Sequence, residues 1–220
     1  MALENLYQCT WEECKDLPNQ MADIFFHDVL FETMFPKEAT RKTCLRLFFD
    51  EYLKAFGPDS MILADSANRN AYMVIYDKRS THKPSYFKRM CKMNARLLHL
   101  IPKMGIRNFL HLLKNWDLLS HHWVKAFERD PYLHLDFIFT SVQMRHQGIA
   151  RQMVRELVDE GDIMDMDVSV HTFQKQRAGW YEQLGFVLMN TIVDEESGLS
   201  QYCLIARHEK ERTSWIQSIE

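Results

Sequence analysis

The first quarter of the chain has apolar residues at helical spacing. They recur every three or four residues through 17–29 and again through 44–56, which predicts two amphipathic helices. Gly57 and Pro58 are expected to end the second helix, because glycine is common just past a helix end and proline cannot continue the helix. A short apolar stretch at 3–9 predicts a strand ahead of both helices.

The rest of the chain alternates between strand and helix patterns. Two short apolar runs, at 61–64 and 71–76, are separated by a polar turn and predict a hairpin. Further strands are predicted at 132–140, 168–173, 186–193 and 201–206, with helices at 149–160 and 176–184. This order predicts an α/β fold with a mixed central sheet. The length of 220 residues favours a single domain, 1–220.

The segment 78–129, between the third and fourth predicted strands, is strongly basic. It holds twelve Lys and Arg against two acids, Asp117 and Glu128, although the whole chain has a net charge of -3. Helical spacing at 87–101 and 106–116 predicts an insertion of two helices with one basic face. A solvated surface and a functional surface would both give this pattern, and the sequence leaves both open.

Charge and cysteine usage argue against several kinds of partner and site. A net charge of -3 with 26% charged residues gives no global attraction to nucleic acid or to an anionic membrane, so neither is expected as a partner. The five cysteines include no Cys-x-x-Cys pair, which argues against a disulfide framework and a structural zinc site. No run of residues is apolar enough for a signal peptide or a membrane span. We therefore expect a cytoplasmic protein that is a monomer or a homodimer.

The stretch 145–150 reads Arg-His-Gln-Gly-Ile-Ala and lies between a strongly apolar strand and an amphipathic helix. A helix N-terminus offers unpaired amide donors and the positive end of the helix dipole, so such a turn binds phosphate when no side chain blocks the approach. Gly148 and Ala150 are the small residues that leave this approach open. A glycine turn that only leads into a helix has the same pattern, so the surrounding elements must decide.

A dinucleotide-binding fold has a similar layout, but Met153 occupies the position of its third glycine. The stretch instead resembles the signature of the GNAT superfamily of N-acetyltransferases, which is Gln or Arg, two residues, Gly, one residue, then Gly or Ala. Arg145, Gly148 and Ala150 fill that signature. The resemblance covers 132–186 and, by element order, the rest of the chain outside the basic insertion. It implies the GNAT fold, in which helices flank a mixed, mostly antiparallel central sheet, with acetyl-CoA as cosubstrate.

The resemblance also implies three groups of residues that bind the cofactor. Backbone amides of the turn and the first helical turn hold the pyrophosphate: Arg145, His146, Gln147, Gly148, Ile149, Ala150 and Arg151. Backbone groups of the preceding strand bind the pantetheine arm: Ile138, Phe139 and Thr140. Gln174 stands where many members carry an asparagine that bonds the pantetheine.

Tyr181, in Tyr-Glu-Gln-Leu-Gly-Phe, resembles the family tyrosine that contacts the cofactor and protonates the departing CoA thiolate. A positioned phenol can donate a proton to sulfur as it leaves. A packing aromatic beside Trp180 is the alternative interpretation.

Alternation along the strand 132–140 separates two sets of side chains. One set is apolar: Leu133, Leu135, Phe137 and Phe139. The other set, which includes the ionisable groups, is His134, Asp136, Ile138 and Thr140. The resemblance places the acceptor amine beside the second set, so His134 or Asp136 is the candidate general base, and a structural polar pair is the alternative. A metal site is not expected, because the adjacent residues His121 and His122 cannot both face one site with His134 from a regular helix.

The sequence is interpreted as an N-acetyltransferase that moves acetyl from acetyl-CoA to a primary amine of a small molecule by direct attack. Its insertion and its strand 132–140 resemble the puromycin-type acetyltransferases of the superfamily. Two alternatives stay open. One is a non-catalytic GNAT-fold module that binds CoA, and the other is a protein or peptide N-acetyltransferase whose basic insertion recruits acidic segments.

Overall fold

Strands and helices alternate along most of the chain in the computed structural model, which describes residues 2–57, 60–79, 84–119, 122–127 and 131–208. The strands are β1 (Tyr7–Gln8), β2 (Ser60–Ala64), β3 (Ala71–Asp77), β4 (Tyr132–Thr140), β5 (Asp167–Thr172), β6 (Val187–Val193) and β7 (Ser200–Ala206). The α-helices are α1 (Leu17–Ile24), α2 (Val29–Met34), α3 (Glu38–Phe56), α4 (Pro84–Met104), α5 (Ile106–Lys114), α6 (Ile149–Met164) and α7 (Lys175–Glu182). Short 3₁₀ helices lie at Ala2–Asn5, Trp116–Leu119, His122–Phe127 and Val142–Met144.

The seven strands form one sheet in the order β1-β2-β3-β4-β5-β7-β6. The β4–β5 pair is parallel, whereas the β1–β2, β3–β4, β5–β7 and β6–β7 pairs are antiparallel. The mixed, mostly antiparallel sheet predicted from the sequence is therefore confirmed. A parallel pair needs a crossover, and α6 provides it between β4 and β5.

The chain divides into two compact units, 1–8 with 61–79 and 121–220, and 9–60 with 80–120. In the first unit, one face of the sheet packs against α6 and α7. Its core cluster joins Met73 and Leu135 of the sheet to Leu157 of α6 and Tyr181 of α7. The single-domain organisation expected from the sequence stays a prediction.

The second unit has an aromatic core. The rings of Phe25, Phe31, Phe48 and Phe49 lie with their centroids between 5.2 and 5.9 Å apart. Arg41 is buried beside them, where its Nε donates to the Phe35 carbonyl at 2.9 Å and its Nη1 contacts Glu32 at 3.1 Å. A buried guanidinium is tolerated there because its donors are used.

Three of the expected elements near the N-terminus are corrected by the structure. The strand predicted at 3–9 is a 3₁₀ turn followed by only two strand residues, Tyr7–Gln8. The helix predicted at 17–29 is interrupted, because Asp28 caps a new helix by accepting a hydrogen bond from the Leu30 amide at 3.1 Å. The helix predicted from residue 44 already begins at Glu38. Pro58, expected beyond its end, lies outside the described residues.

The basic segment contains the two expected helices, α4 and α5, with Gly105 between them at a φ of +82°. The first of them extends beyond the predicted range of 87–101 and includes Pro102 in its last turn. Lys83, Glu128 and Arg129 of this segment lie outside the described residues.

Candidate active site

Only the first half of β4 is paired in register with β5. The parallel register runs from Tyr132 opposite Asp167 to Leu135 opposite Val170, and β4 continues to Thr140. The second half of β4 thus extends past the last residue that is in register with β5.

β4 contains a β-bulge at Asp136. On the neighbouring strand, Val74 lies opposite Phe137 and Ile75 lies opposite Leu135, which leaves Asp136 as the extra residue. One extra residue reverses the alternation of side chains along the rest of the strand.

The sequence therefore predicted the wrong face of the sheet for the side chains in the second half of β4. Ile138 lies opposite Met73 and packs against the core cluster that includes α6, whereas Phe139 points to the other face. Ile138 does not share a face with His134, since the bulge lies between them. His134 and Asp136 do stay together, with Nε2 and Oδ1 3.9 Å apart.

The turn before α6 has the backbone conformation of an anion-binding turn. His146 and Gly148 have φ values of +63° and +79°, and Gly148 is the N-cap of the helix. The Gln152 amide donates to the Gly148 carbonyl at 3.0 Å as the helix begins. The amides before Gln152 precede this first helical bond, and their N–H groups project outward from the N-terminal end of the helix. A Cβ built on Gly148 would meet no atom within 4 Å, so the approach to these amides is open.

A cavity of about 450 Å³ lies against this turn. Eight of the residues predicted to bind the cofactor line it: Thr140, Arg145, His146, Gln147, Gly148, Ile149, Ala150 and Arg151. Met144 and Trp180 also line it and were missed by the sequence analysis. Trp180 could have been anticipated from its place beside Tyr181. Arg145 and Arg151 give the cavity two cationic side chains, which suits an anionic ligand.

His134 is fully buried, and a hydrogen bond with Ser169 orients its ring. Ser169 Oγ donates its only proton to the Leu133 carbonyl at 3.1 Å. At the 2.8 Å contact between His134 Nδ1 and Ser169 Oγ, the ring nitrogen is therefore the donor. In the neutral ring the lone pair then lies on Nε2, the atom 3.9 Å from Asp136 Oδ1. His134 thus has the tautomer of a general base, and the Asp136 carboxylate can stabilise the protonated ring.

A second imidazole stacks on His134. The rings of His134 and His171 have centroids 5.2 Å apart with an interplanar angle of 24°, and Trp123 meets His134 edge-on at 6.5 Å. Burial lowers the pKa of His171 to about 4, so at neutral pH this ring adds no positive charge beside His134. Neither Ser169 nor His171 was predicted from the sequence.

Tyr181 is part of the core cluster and is only 3% exposed. Its ring lies edge-on to Trp180 at 4.9 Å and to Phe186 at 5.4 Å, and Trp180 in turn lines the cavity. Burial raises the pKa of Tyr181 to about 12, with a smaller opposing effect of the Arg177 charge, so the phenol keeps its proton at neutral pH.

The remaining predicted residues lie at other places. Phe139 is buried and packs on the Tyr72 ring at 5.5 Å, so only its backbone remains available for the predicted role. Gln174 is the N-cap residue of α7, and its backbone amide donates to Thr172 Oγ1 at 3.3 Å. Neither residue lines the cavity at the turn.

Within the described part of the chain, no group of three or more His, Cys, Asp or Glu side chains is arranged to hold a metal ion. His121 and the side chain of His122 lie outside that part. Among the helices that the structure describes, none combines the length and the apolar character that crossing a membrane requires.

Solved structures share this architecture over nearly the whole chain. The histone acetyltransferase HPA2 and related acetyltransferase of Corynebacterium glutamicum is 14% identical, with a TM-score of 0.62 over 93% of this chain and 96% of the other. An arylalkylamine N-acetyltransferase of the mosquito Aedes aegypti is 12% identical, with a TM-score of 0.61 over 92% and 86%. A polyamine N-acetyltransferase of Drosophila melanogaster is 14% identical, with a TM-score of 0.52 over 92% and 98%.

The chain has the GNAT fold. In sequence the likeness is remote, and neither a protein-family model nor a curated protein sequence matches the chain. Identities of 12 to 14% establish the shared GNAT fold alone, so the chemistry must be argued from the residues of this chain.

Proposed function

We propose that this protein is an acetyl-CoA-dependent N-acetyltransferase that acetylates a primary amine of a small molecule. The observation that carries the proposal is the glycine turn at the N-terminus of α6, which borders a cavity of about 450 Å³ with two arginines on its rim. The volume is that of an ordinary ligand pocket. The amides, the helix dipole and the arginines all favour a pyrophosphate at this point.

The second half of β4 is suited to the pantetheine arm. It leads directly into the turn, and Thr140 lines the same cavity. A pantetheine chain that runs along Ile138 and Thr140 would bring its thioester toward the end of the register with β5 at Leu135. We propose backbone hydrogen bonds from this half of β4, and an accessory contact from Gln174.

The proposed reaction is direct attack of the neutral amine on the acetyl carbonyl. The nitrogen–carbon bond forms, the carbon–sulfur bond breaks, and CoA leaves as a thiolate that Tyr181 protonates. His134 Nε2 accepts the amine proton, directly or through a water, and Asp136 stabilises the resulting imidazolium. The high pKa of Tyr181 keeps the proposed acid protonated throughout the neutral range.

The acceptor class is supported by the neighbours and by the charge distribution of this chain. Two neighbours are named as an arylalkylamine and a polyamine N-acetyltransferase. A buried His-Asp pair is a suitable group to deprotonate an ammonium ion. The likeness to puromycin-type acetyltransferases stays a hypothesis, and so does a cytoplasmic location, which the five widely spread cysteines without a Cys-x-x-Cys pair favour.

A screen of acceptors tests the proposal. Purified protein is mixed with acetyl-CoA and a panel of arylalkylamines, polyamines, amino acids and short peptides, and release of the CoA thiol is followed. We expect release with at least one small amine and its loss in His134→Ala. Release only with peptides would move the assignment to peptide acetylation. CoA binding without release on any acceptor would favour a non-catalytic module, for which the deep burial of Tyr181 is the supporting observation.

A further inference from the structure

α4 and α5 each carry a row of apolar side chains that face solvent. On α4 the row is Phe87, Cys91 and Leu98, and on α5 it is Ile106, Leu110 and Leu113. The residues are four and seven positions apart in the first row, and four and three apart in the second, so each row lies on one side of its helix. The five large side chains of the rows are between 49% and 72% exposed, an unusual amount of apolar surface for two adjacent helices.

Cations border both rows. Lys88, Lys92 and Lys103 on α4 and Arg107 on α5 are exposed, and the sequence from 84 to 114 contains no Asp or Glu. A third side of each helix is buried, through residues such as Met93 and Leu97 on α4. Each helix thus has a packed side, a cationic side and an exposed apolar side, and the last two have no role in the proposed acetyl transfer.

We propose that the exposed apolar rows and cationic sides of α4 and α5 bind the surface of an anionic lipid membrane. Amphipathic helices with basic residues beside a Phe- and Leu-containing face lie in the interface plane, with the apolar side chains among the lipids and the cations at the headgroups. The small negative charge of the whole chain conceals this local cationic excess.

The shape and charge of this surface favour a membrane over two other partners. The apolar side chains project from the helices, as the 72% exposure of Phe87 illustrates, whereas a peptide helix needs a groove to dock into. A second copy of the chain that bound through the same surface would place like charges opposite each other across a twofold axis. A membrane offers both a deformable apolar layer and negative headgroups.

Vesicle co-sedimentation of the full chain tests this proposal. The vesicles contain phosphatidylcholine alone, or equal parts of phosphatidylcholine and phosphatidylglycerol. We expect binding to the anionic vesicles only, and weakening by salt because screening acts on the headgroup attraction. The double variant Leu98→Asp/Leu110→Asp should bind at least about tenfold more weakly. The control Ile163→Asp changes an equally apolar α6 residue, 64% exposed, and should bind like the wild type.

Two double charge-reversal variants distinguish the effect of where the cations lie from the effect of the net charge. Lys88→Glu/Arg107→Glu should weaken binding by about 25-fold or more, at roughly fivefold for each cation. Lys37→Glu/Arg46→Glu makes the same change in net charge at exposed positions of α3 and its N-cap, and should have little effect. Circular dichroism checks that each variant is folded.

Three outcomes would overturn the proposal. Absence of binding to anionic vesicles is one, and equal loss in both charge-reversal pairs is another. The third is a concentration-dependent dimer, measured by light scattering, that Leu98→Asp/Leu110→Asp dissociates, because this result would assign the surface to a second copy. None of these outcomes depends on acetyl transfer.

Discussion

Ser169 determines which nitrogen of His134 can accept a proton. Its hydroxyl is committed to the Leu133 carbonyl, so His134 must donate from Nδ1. We predict that Ser169→Ala releases this constraint and lowers turnover about tenfold, because a buried donor loses its partner. Ser169→Thr keeps a hydroxyl and should retain most of the activity.

The proton position can be measured independently of activity. Nitrogen-15 NMR of the His134 ring should report the Nδ1–H tautomer in the wild type and a changed tautomer population in Ser169→Ala. An unchanged tautomer together with unchanged turnover would mean that Ser169 has only a structural role.

The hydroxyl of Tyr181 is predicted to act in chemistry, and its ring in packing. Tyr181→Phe keeps the ring contacts with Trp180 and Phe186, so stability and CoA affinity should change little. Turnover should fall about 100-fold, the usual cost of losing a general acid. Tyr202→Phe, another tyrosine packed against the same core, serves as the control. Wild-type turnover in Tyr181→Phe would remove Tyr181 from the mechanism.

His171 should make the fold sensitive to acid. Its folded pKa of about 4 lies below its ordinary value of 6.5, so the unfolded state binds the proton first as the pH falls. The stability that this residue contributes is complete above pH 6.5 and is lost toward pH 4, by up to about 3 kcal/mol.

Urea unfolding at several pH values checks this expectation. His171→Gln should flatten the decline in unfolding free energy between pH 6.5 and 4. Equal slopes for wild type and His171→Gln would contradict the assigned pKa.

At this scale the sequence predicted roles for His134, Asp136 and the turn residues, because the resemblance points to particular positions. It could not identify Ser169, since the contact depends on the register of two parallel strands. The alternation of polar Ser169 and His171 in β5 was the available signal, once β5 was placed beside β4.

Among the elements, α6 depends on a close approach near its C-terminal end. Gly161 lies where an added Cβ would be 2.8 Å from the Met166 carbonyl oxygen and from Val168 Cγ2. We predict that Gly161→Ala destabilises the protein by about 1–3 kcal/mol, because the backbone there cannot move aside. Gly179 in α7 has no such neighbour, so Gly179→Ala should stabilise by about 0.5–1 kcal/mol. Thermal unfolding of both variants measures this contrast, and a stabilised Gly161→Ala would contradict the packing.

Most elements could be predicted from the sequence, because their apolar periodicity is strong. The bulge at Asp136 could not, since it depends on the partner strand β3 as well as on β4. The break between α1 and α2 was detectable, because Asp28 is a favourable N-cap in the middle of an apolar pattern.

At the scale of the whole molecule, the glycine turn and the mixed sheet were both predicted from the sequence, and the GNAT fold agrees with them. The division into two compact units was not predicted, because it depends on which helices pack together. The aromatic core of the second unit brings α1, α2 and α3 together, and a linear pattern does not specify such packing.

Calorimetric titration of acetyl-CoA tests the central claim, that the turn before α6 holds the cofactor. Gly148 and Gly198 have φ values of +79° and +72°, and an added Cβ would meet no atom within 4 Å at either. Glutamate at each position therefore imposes similar backbone strain, but only at Gly148 does it bring a carboxylate to the proposed pyrophosphate site. We predict that wild type and Gly198→Glu bind acetyl-CoA alike, and that Gly148→Glu binds at least about 100-fold more weakly. Undiminished binding by Gly148→Glu, or no binding by the wild type, would contradict the claim.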